Sequence, residues 1–412
     1  MRISQFWTGQ MRGVDNLYGR INDYNISPEE TNSEWGFMYH GIMTQNDTIQ
    51  AKSEDNLLKG IANIIEAHGI GTMAALFGDI PYSQVGGADD ATFDGQVQVL
   101  EAAHILLNEA IRQLSTVPST RRLSDDILLG GNAAAWIQVA NTLKARYFLM
   151  TQQYGEAYQS ALLGINAAEN SLRYAAGYSD YGSTNENSSL YFLILTGSRS
   201  GDLTSTGSFI QDLMDPALPS SRNNAKTDEM ARRNYSYISG DGDTAGGIDG
   251  PDTPMKLVSY EENLLIWAEC LLRADNDTQG AIDKLNELRA HLNSGNAFNL
   301  MNPADTFLYS NYDLADFQAG GMENADSITT ERAVLREIIE ERYVTGFTTF
   351  MPFNDVRRLR ASDSDIIVPF PLNNGTASMN PQRFLYPQDE IDSNSNIPDP
   401  LPDLFTPTPV NQ

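Results

Sequence analysis

Cysteine, histidine and basic side chains are scarce in this chain. Its 412 residues include one cysteine, four histidines and 27 Lys and Arg residues, against 54 Asp and Glu residues. A single thiol excludes an intramolecular disulfide, and the apolar neighbours of Cys270 favour a small core side chain over a nucleophile. The histidines show no spacing typical of metal ligands or of a catalytic triad.

The excess of acidic residues excludes one class of partner. The formal net charge is −27, whereas sequence-independent nucleic-acid binding requires clustered positive charge. No extended run of basic residues provides it. We therefore expect no binding to nucleic acid, and among glycans the charge favours neutral ones over polyanions.

Long apolar segments are also missing from the sequence. No apolar stretch of 18 residues is expected to cross a membrane. Residues 1–14 lack the apolar centre of a secretory signal peptide. Any export or lipid signal is therefore expected outside this chain.

Apolar residues do recur at helical spacing over much of the chain. Five stripes with a spacing of three or four residues occur in residues 100–114, 136–150, 157–168, 260–271 and 281–292. Such stripes predict helices that pack one face against a core. The short polar turn ADNDT between the last two stripes predicts an antiparallel hairpin. Hairpins of this length are typical of tetratricopeptide-like stacks.

Two internal segments and the tail lack this pattern. Residues 173–256 and 294–330 are rich in Gly, Ser, Asn, Asp and Tyr, which predicts long ordered loops. The tail, residues 366–412, carries most of the late prolines and is expected to be extended. The predicted fold class is all-α: a tetratricopeptide-like helical hairpin scaffold, mainly residues 33–172 and 257–345, with long irregular loops.

Residues 340–360, EERYVTGFTTFMPFNDVRRLR, join a helical stripe to an aromatic cluster. Gly346 is expected to end the helix with a positive φ. The three phenylalanines that follow are expected in a loop, where side chains without a polar group favour packing over sugar binding. Asp355 with Arg357 or Arg358 is interpreted as a local ion pair.

Five segments of the sequence occur in an order that is informative. They are MAALFGDIPYSQ, LLGGNAAAWIQVANTLKARY, YEENLLIWAECLLRADNDTQGAIDKLNELRA, ITTERAVLREIIEERYVTGFTTFMPFNDVRRLR and PQRFLYPQDEIDSNSN. Together they resemble the SusD/RagB-type outer-membrane glycan-binding lipoproteins. The resemblance implies one SusD-like domain over residues 1–412, with four tetratricopeptide-like units.

The resemblance also implies a function. Proteins of this family are non-catalytic; they capture oligosaccharides or polysaccharides at the cell surface and deliver them to a SusC-like TonB-dependent transporter of the outer membrane. Their signal peptide and lipid-bearing cysteine are absent from this chain, so membrane attachment is expected only through a lipid anchor outside it. With the acidic charge, the specific hypothesis is a neutral glycan such as a laminarin-type β-glucan.

Sugar sites pair exposed aromatic rings with polar side chains. Residues 5–25 mix both kinds without helical periodicity, and two loops each add a tyrosine pair. The candidate ligand-binding residues are Trp7, Arg12, Asp15, Asn16, Tyr18, Tyr24, Tyr178, Tyr181, Tyr309 and Tyr312. An N-terminal helix docked on the scaffold, and tyrosines that anchor loops, remain alternatives. The other three tryptophans lie at scaffold positions and are interpreted as structural.

The segment GDGDTAGGIDGPD suggests a calcium loop. Counted from Asp241, acidic residues occur at positions one, three, nine and twelve, with a glycine at six, as in a hard-cation loop. These residues are Asp241, Asp243, Asp249 and Asp252. The alanine at position five and the prolines near the end depart from the pattern, so a solvated acidic loop is the alternative. No cofactor is required, and calcium is the one candidate.

Two other classes of function remain open at this stage. A tetratricopeptide-type scaffold that binds a protein would show a concave helical groove without an aromatic surface. An α-helical glycoside hydrolase would show two carboxylates converging in a cleft.

Overall fold

The computed structural model describes residues 2–87, 90–175, 188–239 and 246–412. Helices dominate this part of the chain, and no β-strand in it exceeds four residues. The all-α prediction is therefore confirmed. The helices are α1 (Arg2–Trp7), α2 (Asn16–Asn22), α3 (Asn32–Gly36), α4 (Thr44–Lys52), α5 (Asn56–Phe77), α6 (Gln96–Leu114), α7 (Ala133–Met150), α8 (Tyr154–Ala161), α9 (Leu190–Thr196), α10 (Phe209–Leu213), α11 (Met230–Tyr235), α12 (Tyr260–Asp275), α13 (Thr278–Asn293), α14 (Thr330–Thr345), α15 (Met351–Arg358) and α16 (Gln388–Ser393).

The short strands between the helices form two-stranded sheets. Antiparallel pairs join β1 to β5, β2 to β3 and β6 to β8. The strands are β1 (Arg12–Gly13), β2 (Ile80–Pro81), β3 (Phe93–Asp94), β4 (Leu172–Tyr174), β5 (Leu203–Thr204), β6 (Thr227–Asp228), β7 (Met255–Val258) and β8 (Leu308–Tyr309). A π-helix, Phe37–Met43, connects α3 to α4.

The chain divides into two compact units, each drawn from separate stretches of sequence. Unit 1 comprises Met1–Asn25, Arg173–Leu257 and Leu264–Ser378. Unit 2 comprises Ile26–Leu172, Val258–Asn263 and Met379–Gln412. One domain over residues 1–412 stays a prediction.

Unit 2 contains three of the helices that the apolar stripes predict, α6, α7 and α8. Helix α5 packs against α6, and α7 packs against α8. Leu100, Leu107 and Leu114 of the α6 stripe are at most 2% exposed. Asp55 begins α5 by accepting a hydrogen bond from the Leu57 N–H at 2.9 Å, which satisfies a backbone donor that the helix leaves open.

Helix α5 corrects one expectation from the sequence. It is 22 residues long, and an 18-residue window within it has a mean hydropathy of 1.2, enough in length and composition to cross a membrane. In this structure, 78% of that window is buried inside the protein. The burial is that of a core helix, which is apolar for the same reason as a membrane span.

Unit 1 is built around α14, which packs against α13 and α15. Gly346 does end α14, but with a φ of −76°, so the predicted positive φ is wrong. A side chain is excluded for another reason, since a Cβ there would lie 2.6 Å from the Arg342 carbonyl oxygen. The positive φ belongs instead to Thr348, at 67°.

The aromatic cluster after α14 is also more regular than the sequence suggests. Residues from Met351 form α15 rather than a loop. Phe347 and Phe353 are 3% and 1% exposed, so the prediction that they pack in the core is confirmed. Asp355 pairs with Arg358 at 2.9 Å, as expected, and also with Arg342 at 3.2 Å.

Candidate functional site

The three N-terminal aromatic candidates are packed inside unit 1. Trp7 is 1% exposed, and its indole N–H donates to the Ile21 carbonyl at 3.0 Å. Tyr18 is 4% exposed and its ring lies 5.6 Å from that of Phe6. Tyr24 is 8% exposed. None of these three rings presents an open face in this structure, so their contact with a ligand stays a prediction and their observed role is packing.

The three polar N-terminal candidates lie at the surface. Arg12, Asp15 and Asn16 are exposed. The Asp15 carboxylate accepts from the Asn16 N–H at 2.7 Å, and the Asn16 amide donates to the Asp202 carboxylate at 2.8 Å. Strand pairing places Arg12 opposite Thr204. These side chains therefore share one edge of unit 1.

The backbone conformation between β1 and α2 explains why these side chains lie at the surface. Asn16 has a φ of 48°, a conformation that asparagine tolerates better than most residues. At Gly13 a Cβ would lie 1.8 Å from the Tyr18 carbonyl oxygen, so only glycine fits. The chain can therefore turn sharply from β1 into α2 and leave its polar side chains in water.

Tyr309 and Tyr312 lie in a buried network of charges. They are 2% and 3% exposed. The Tyr309 hydroxyl donates to the Glu229 carboxylate at 2.7 Å, and the Tyr312 hydroxyl donates to Glu323 at 2.8 Å. Burial raises the pKa of both phenols well above the ordinary value. Both tyrosines anchor their loop, and ligand contact stays a prediction.

Arg222 is the centre of that network. Its guanidinium lies 2.8 Å from Glu341, 2.9 Å from Glu337 and 3.3 Å from both Glu229 and Glu340. Its side chain is 3% exposed. Arg232 also contacts Glu229 and Glu341, yet the carboxylates still outnumber the buried cations, which disfavours ionisation of all four.

The carboxyl groups of this network differ in acidity. Burial raises the pKa of Glu337 well above its ordinary value, despite the charge of Arg222. Burial also opposes ionisation of Glu341, but the charges of Arg232 and Arg222 outweigh it and lower the pKa of Glu341 to about 2. Because these groups are buried, they do not form the open carboxylate pair that a glycoside hydrolase needs.

The calcium hypothesis and one tyrosine pair lie mainly outside the described residues. Tyr178, Tyr181, Asp241 and Asp243 all fall there. Asp249 is fully buried and Asp252 is exposed. Within the described ranges, no three His, Cys, Asp or Glu side chains gather into a potential metal site. Calcium binding stays a prediction.

The chain matches a known protein family over most of its length. Residues 2–349 match a SusD-like family described as starch-binding and associating with the outer membrane. This chain belongs to that SusD-like family. The resemblance drawn from five sequence segments is thereby confirmed. No curated protein matches the chain.

Solved SusD-like structures share its fold. A SusD/RagB family protein from Bacteroides thetaiotaomicron is 19% identical, with a TM-score of 0.67 and coverage of 96% of this chain and 90% of that chain. A chitin-binding SusD homologue from Flavobacterium johnsoniae is 18% identical, with a TM-score of 0.67 and coverage of 100% and 95%. At these identities the likeness shows the fold, a helical tetratricopeptide-like architecture.

Sequence reasoning did not select Tyr237, which is an exposed aromatic residue of this SusD-like protein. Tyr237 follows α11 in the stretch NYSYIS and is 41% exposed. The stretch lies inside the segment that the sequence assigns to long loops. The sequence carries no local signal for this exposure, because Tyr235 ends α11 and Tyr237 lies just beyond it, where no periodic pattern continues.

Proposed function

We propose that this SusD-like protein binds a neutral oligosaccharide or polysaccharide at the cell surface without cleaving it. We further propose that it passes the glycan to a SusC-like TonB-dependent transporter. The observation that carries the proposal is the exposed polar edge of unit 1, where Arg12, Asp15 and Asn16 lie together on a SusD-like fold. Attachment to the outer membrane through a lipid anchor is part of the same proposal.

The chemistry of this edge suits sugar hydroxyl groups. A hydroxyl both donates and accepts hydrogen bonds. The guanidinium of Arg12 supplies donors, and the carboxylate of Asp15 supplies acceptors. The amide of Asn16 can do both, although its N–H₂ group already donates to Asp202. The edge therefore offers complementary groups without any catalytic step.

The charge of the chain supports a neutral ligand. A net charge of −27 repels uronate-rich and sulfated polymers at distances up to a Debye length of roughly 10 Å. A laminarin-type β-glucan is the first candidate. Chitin oligosaccharides, which are also neutral, are the second, because a structural neighbour is a chitin-binding SusD homologue.

The proposal is tested by calorimetry against laminarin, chitin hexasaccharide and soluble starch, with alginate as the polyanionic control. We expect saturable binding to at least one neutral glycan, none to alginate, and no reducing sugar released after prolonged incubation. Failure to bind any of the three neutral glycans would contradict the proposed function. Release of reducing sugar would favour the hydrolase alternative instead.

Delivery is tested separately from binding. The lipid-anchored protein, co-expressed with a SusC-like transporter, is expected to co-purify with it after extraction in mild detergent. A transporter that purifies alone under conditions in which this protein is abundant would contradict the delivery step and leave glycan binding untouched.

A further inference from the structure

Large exposed aromatic rings are few on this protein. Among the residues that the structure describes, three aromatic side chains are exposed: Phe37 at 67%, Tyr174 at 43% and Tyr237 at 41%. An aromatic ring left in water keeps apolar surface hydrated, which is unfavourable. Each of these rings is therefore a candidate for contact with a ligand.

Tyr237 is held in place although it is exposed. Its hydroxyl lies 2.8 Å from the hydroxyl of Thr206. The next residue, Ile238, forms two hydrogen bonds with Ser205, which precedes Thr206. The Ser205 N–H donates to the Ile238 carbonyl at 3.0 Å, and the Ile238 N–H donates to the Ser205 hydroxyl at 2.7 Å. The ring is thus fixed before any ligand arrives, which lowers the entropic cost of binding.

The turn that holds Tyr237 also continues the polar edge described above. The Thr204 hydroxyl donates to the Ile238 carbonyl at 2.8 Å and lies 3.0 Å from the Thr206 hydroxyl. Thr204 pairs with Arg12 across the β1–β5 ladder. One set of short contacts therefore links Arg12 to the phenol ring.

Arg12 lies against the end of the same turn. A Cβ built at Gly207 would be 3.0 Å from the Arg12 Nη1 atom, so the guanidinium passes directly over this glycine. Gly207 has a φ of 67°, which disfavours any other residue there. The glycine therefore leaves room for a cation beside Thr206, and the guanidinium makes no ion pair with any described residue.

We propose that Tyr237, Thr206 and Arg12 form a subsite for one neutral sugar ring. The phenol ring packs against the C–H face of the sugar, and the Thr206 hydroxyl and the Arg12 guanidinium bond its hydroxyl groups. This subsite rests on the proposed function, since it names the residues that carry the binding. It joins the polar edge that the sequence predicted to an aromatic ring that the sequence analysis did not select.

The test compares four proteins by calorimetry with laminarin and chitin hexasaccharide. Tyr237→Ala is expected to weaken binding by about tenfold or more, because it removes the aromatic face. Tyr237→Phe keeps the face and is expected to retain most of the affinity. Phe37→Ala is the matched control, because it removes an exposed ring elsewhere; it is expected to bind as the unchanged protein does. All three variants should melt within a few degrees of the unchanged protein.

The outcomes separate the subsite from the function. If the unchanged protein binds and Tyr237→Ala binds equally well, the subsite is overturned while the proposed function stands. If Tyr237→Phe loses as much affinity as Tyr237→Ala, ring packing is overturned as the source of affinity. If the unchanged protein binds none of the neutral glycans, the proposed function fails and the subsite fails with it.

Discussion

Two regions of unit 1 use charged side chains in opposite ways. Around Arg222, the guanidinium and three carboxylates are packed out of water, and the fourth carboxylate, Glu340, is partly exposed. Around Arg12, the guanidinium and the nearby Asp15 carboxylate are exposed. Removing one member of the buried set leaves an uncompensated charge in the core, whereas removing an exposed charge leaves water in its place. Stability is therefore expected to depend on the first region, and binding on the second.

A second network of charged side chains lies around Glu269, on another side of α14. Glu269 is fully buried and lies within 2.7 Å of Arg273, Arg342 and Arg358. The charges of these arginines hold the pKa of Glu269 well below its ordinary value despite its burial. Here the cations outnumber the anion that they share, whereas around Arg222 the carboxylates outnumber the cations.

These two networks explain the most distinctive part of the late sequence. Glu341 and Arg342 are neighbours in α14, and side chains one residue apart point about 100° from each other on a helix. Glu341 therefore reaches the Arg222 network and Arg342 reaches Glu269. The stretch REIIEER of α14, residues 336–342, therefore contributes mainly to the core of this protein.

The largest loss of stability is expected from Glu269→Ala. It removes the anion that Arg273, Arg342 and Arg358 share, although the last two keep their contacts with Asp355. Breaking buried pairs in this way costs about 3–5 kcal/mol. Urea denaturation followed by circular dichroism measures the loss. Glu331→Ala, an exposed glutamate in the first turn of α14, is the control. A loss below about 1 kcal/mol for Glu269→Ala would contradict the central role given to this network.

Trp7→Ala separates the two roles that have been considered for Trp7. Burial at 1% exposure predicts a loss of about 3 kcal/mol from the cavity that truncation leaves in the core. The ligand hypothesis instead expects weaker glycan binding with little change in stability. Melting and calorimetry on the same variant decide, since an unchanged melting temperature with reduced affinity would return Trp7 to the binding site.

Glu337→Gln tests the acid-rich network through its pH dependence. Because the folded pKa of Glu337 is raised, its contribution to stability is present below the unfolded value and is lost as pH rises toward the folded value. Within that window each pH unit costs about 1.4 kcal/mol. We expect the variant to match the unchanged protein near pH 4 and to exceed it at pH 8.

Glu341 supplies the internal control for this pH test. Its pKa is lowered to about 2, so its contribution is present above the unfolded value and is lost as pH falls toward 2. The unchanged protein should therefore also lose stability in acid, and Glu337→Gln should not prevent that loss. Parallel stability curves for the two proteins from pH 4 to pH 8 would argue against a raised pKa at Glu337.

The smallest effect on stability is expected at the surface. Asp15→Ala removes a carboxylate that bonds the Asn16 N–H at the start of α2, which costs about 1 kcal/mol. The same change removes an acceptor from the proposed binding edge, so we expect glycan affinity to fall several-fold. Affinity that stays unchanged in calorimetry would remove Asp15 from the site.

The sequence predicts the regular parts of this fold well because periodicity is local information. The stripes predict helices α6, α7, α8, α12 and α13, and the polar turn between the last two is reproduced at Asn276, whose φ is 53°. Burial of the candidate aromatics is different, because it depends on partners far away in the chain. The ring centroids of Trp7 and Phe353 lie 5.7 Å apart, and no local sequence pattern predicts that contact.

The candidate site shows the same limit. Arg12, Asp15 and Asn16 could be selected because polar residues without periodicity predict a surface segment. Tyr237 could not be joined to them from sequence, because the link runs through the pairing of β1 with β5 and the side-chain bonds of Thr204 and Thr206.

The most direct test is a crystal structure of the protein with the neutral oligosaccharide that it binds best in calorimetry. We expect a sugar ring packed on the ring of Tyr237, with sugar hydroxyl groups within hydrogen-bond distance of Thr206 and Arg12. A sugar bound elsewhere, with the Tyr237 ring still in water, would contradict it.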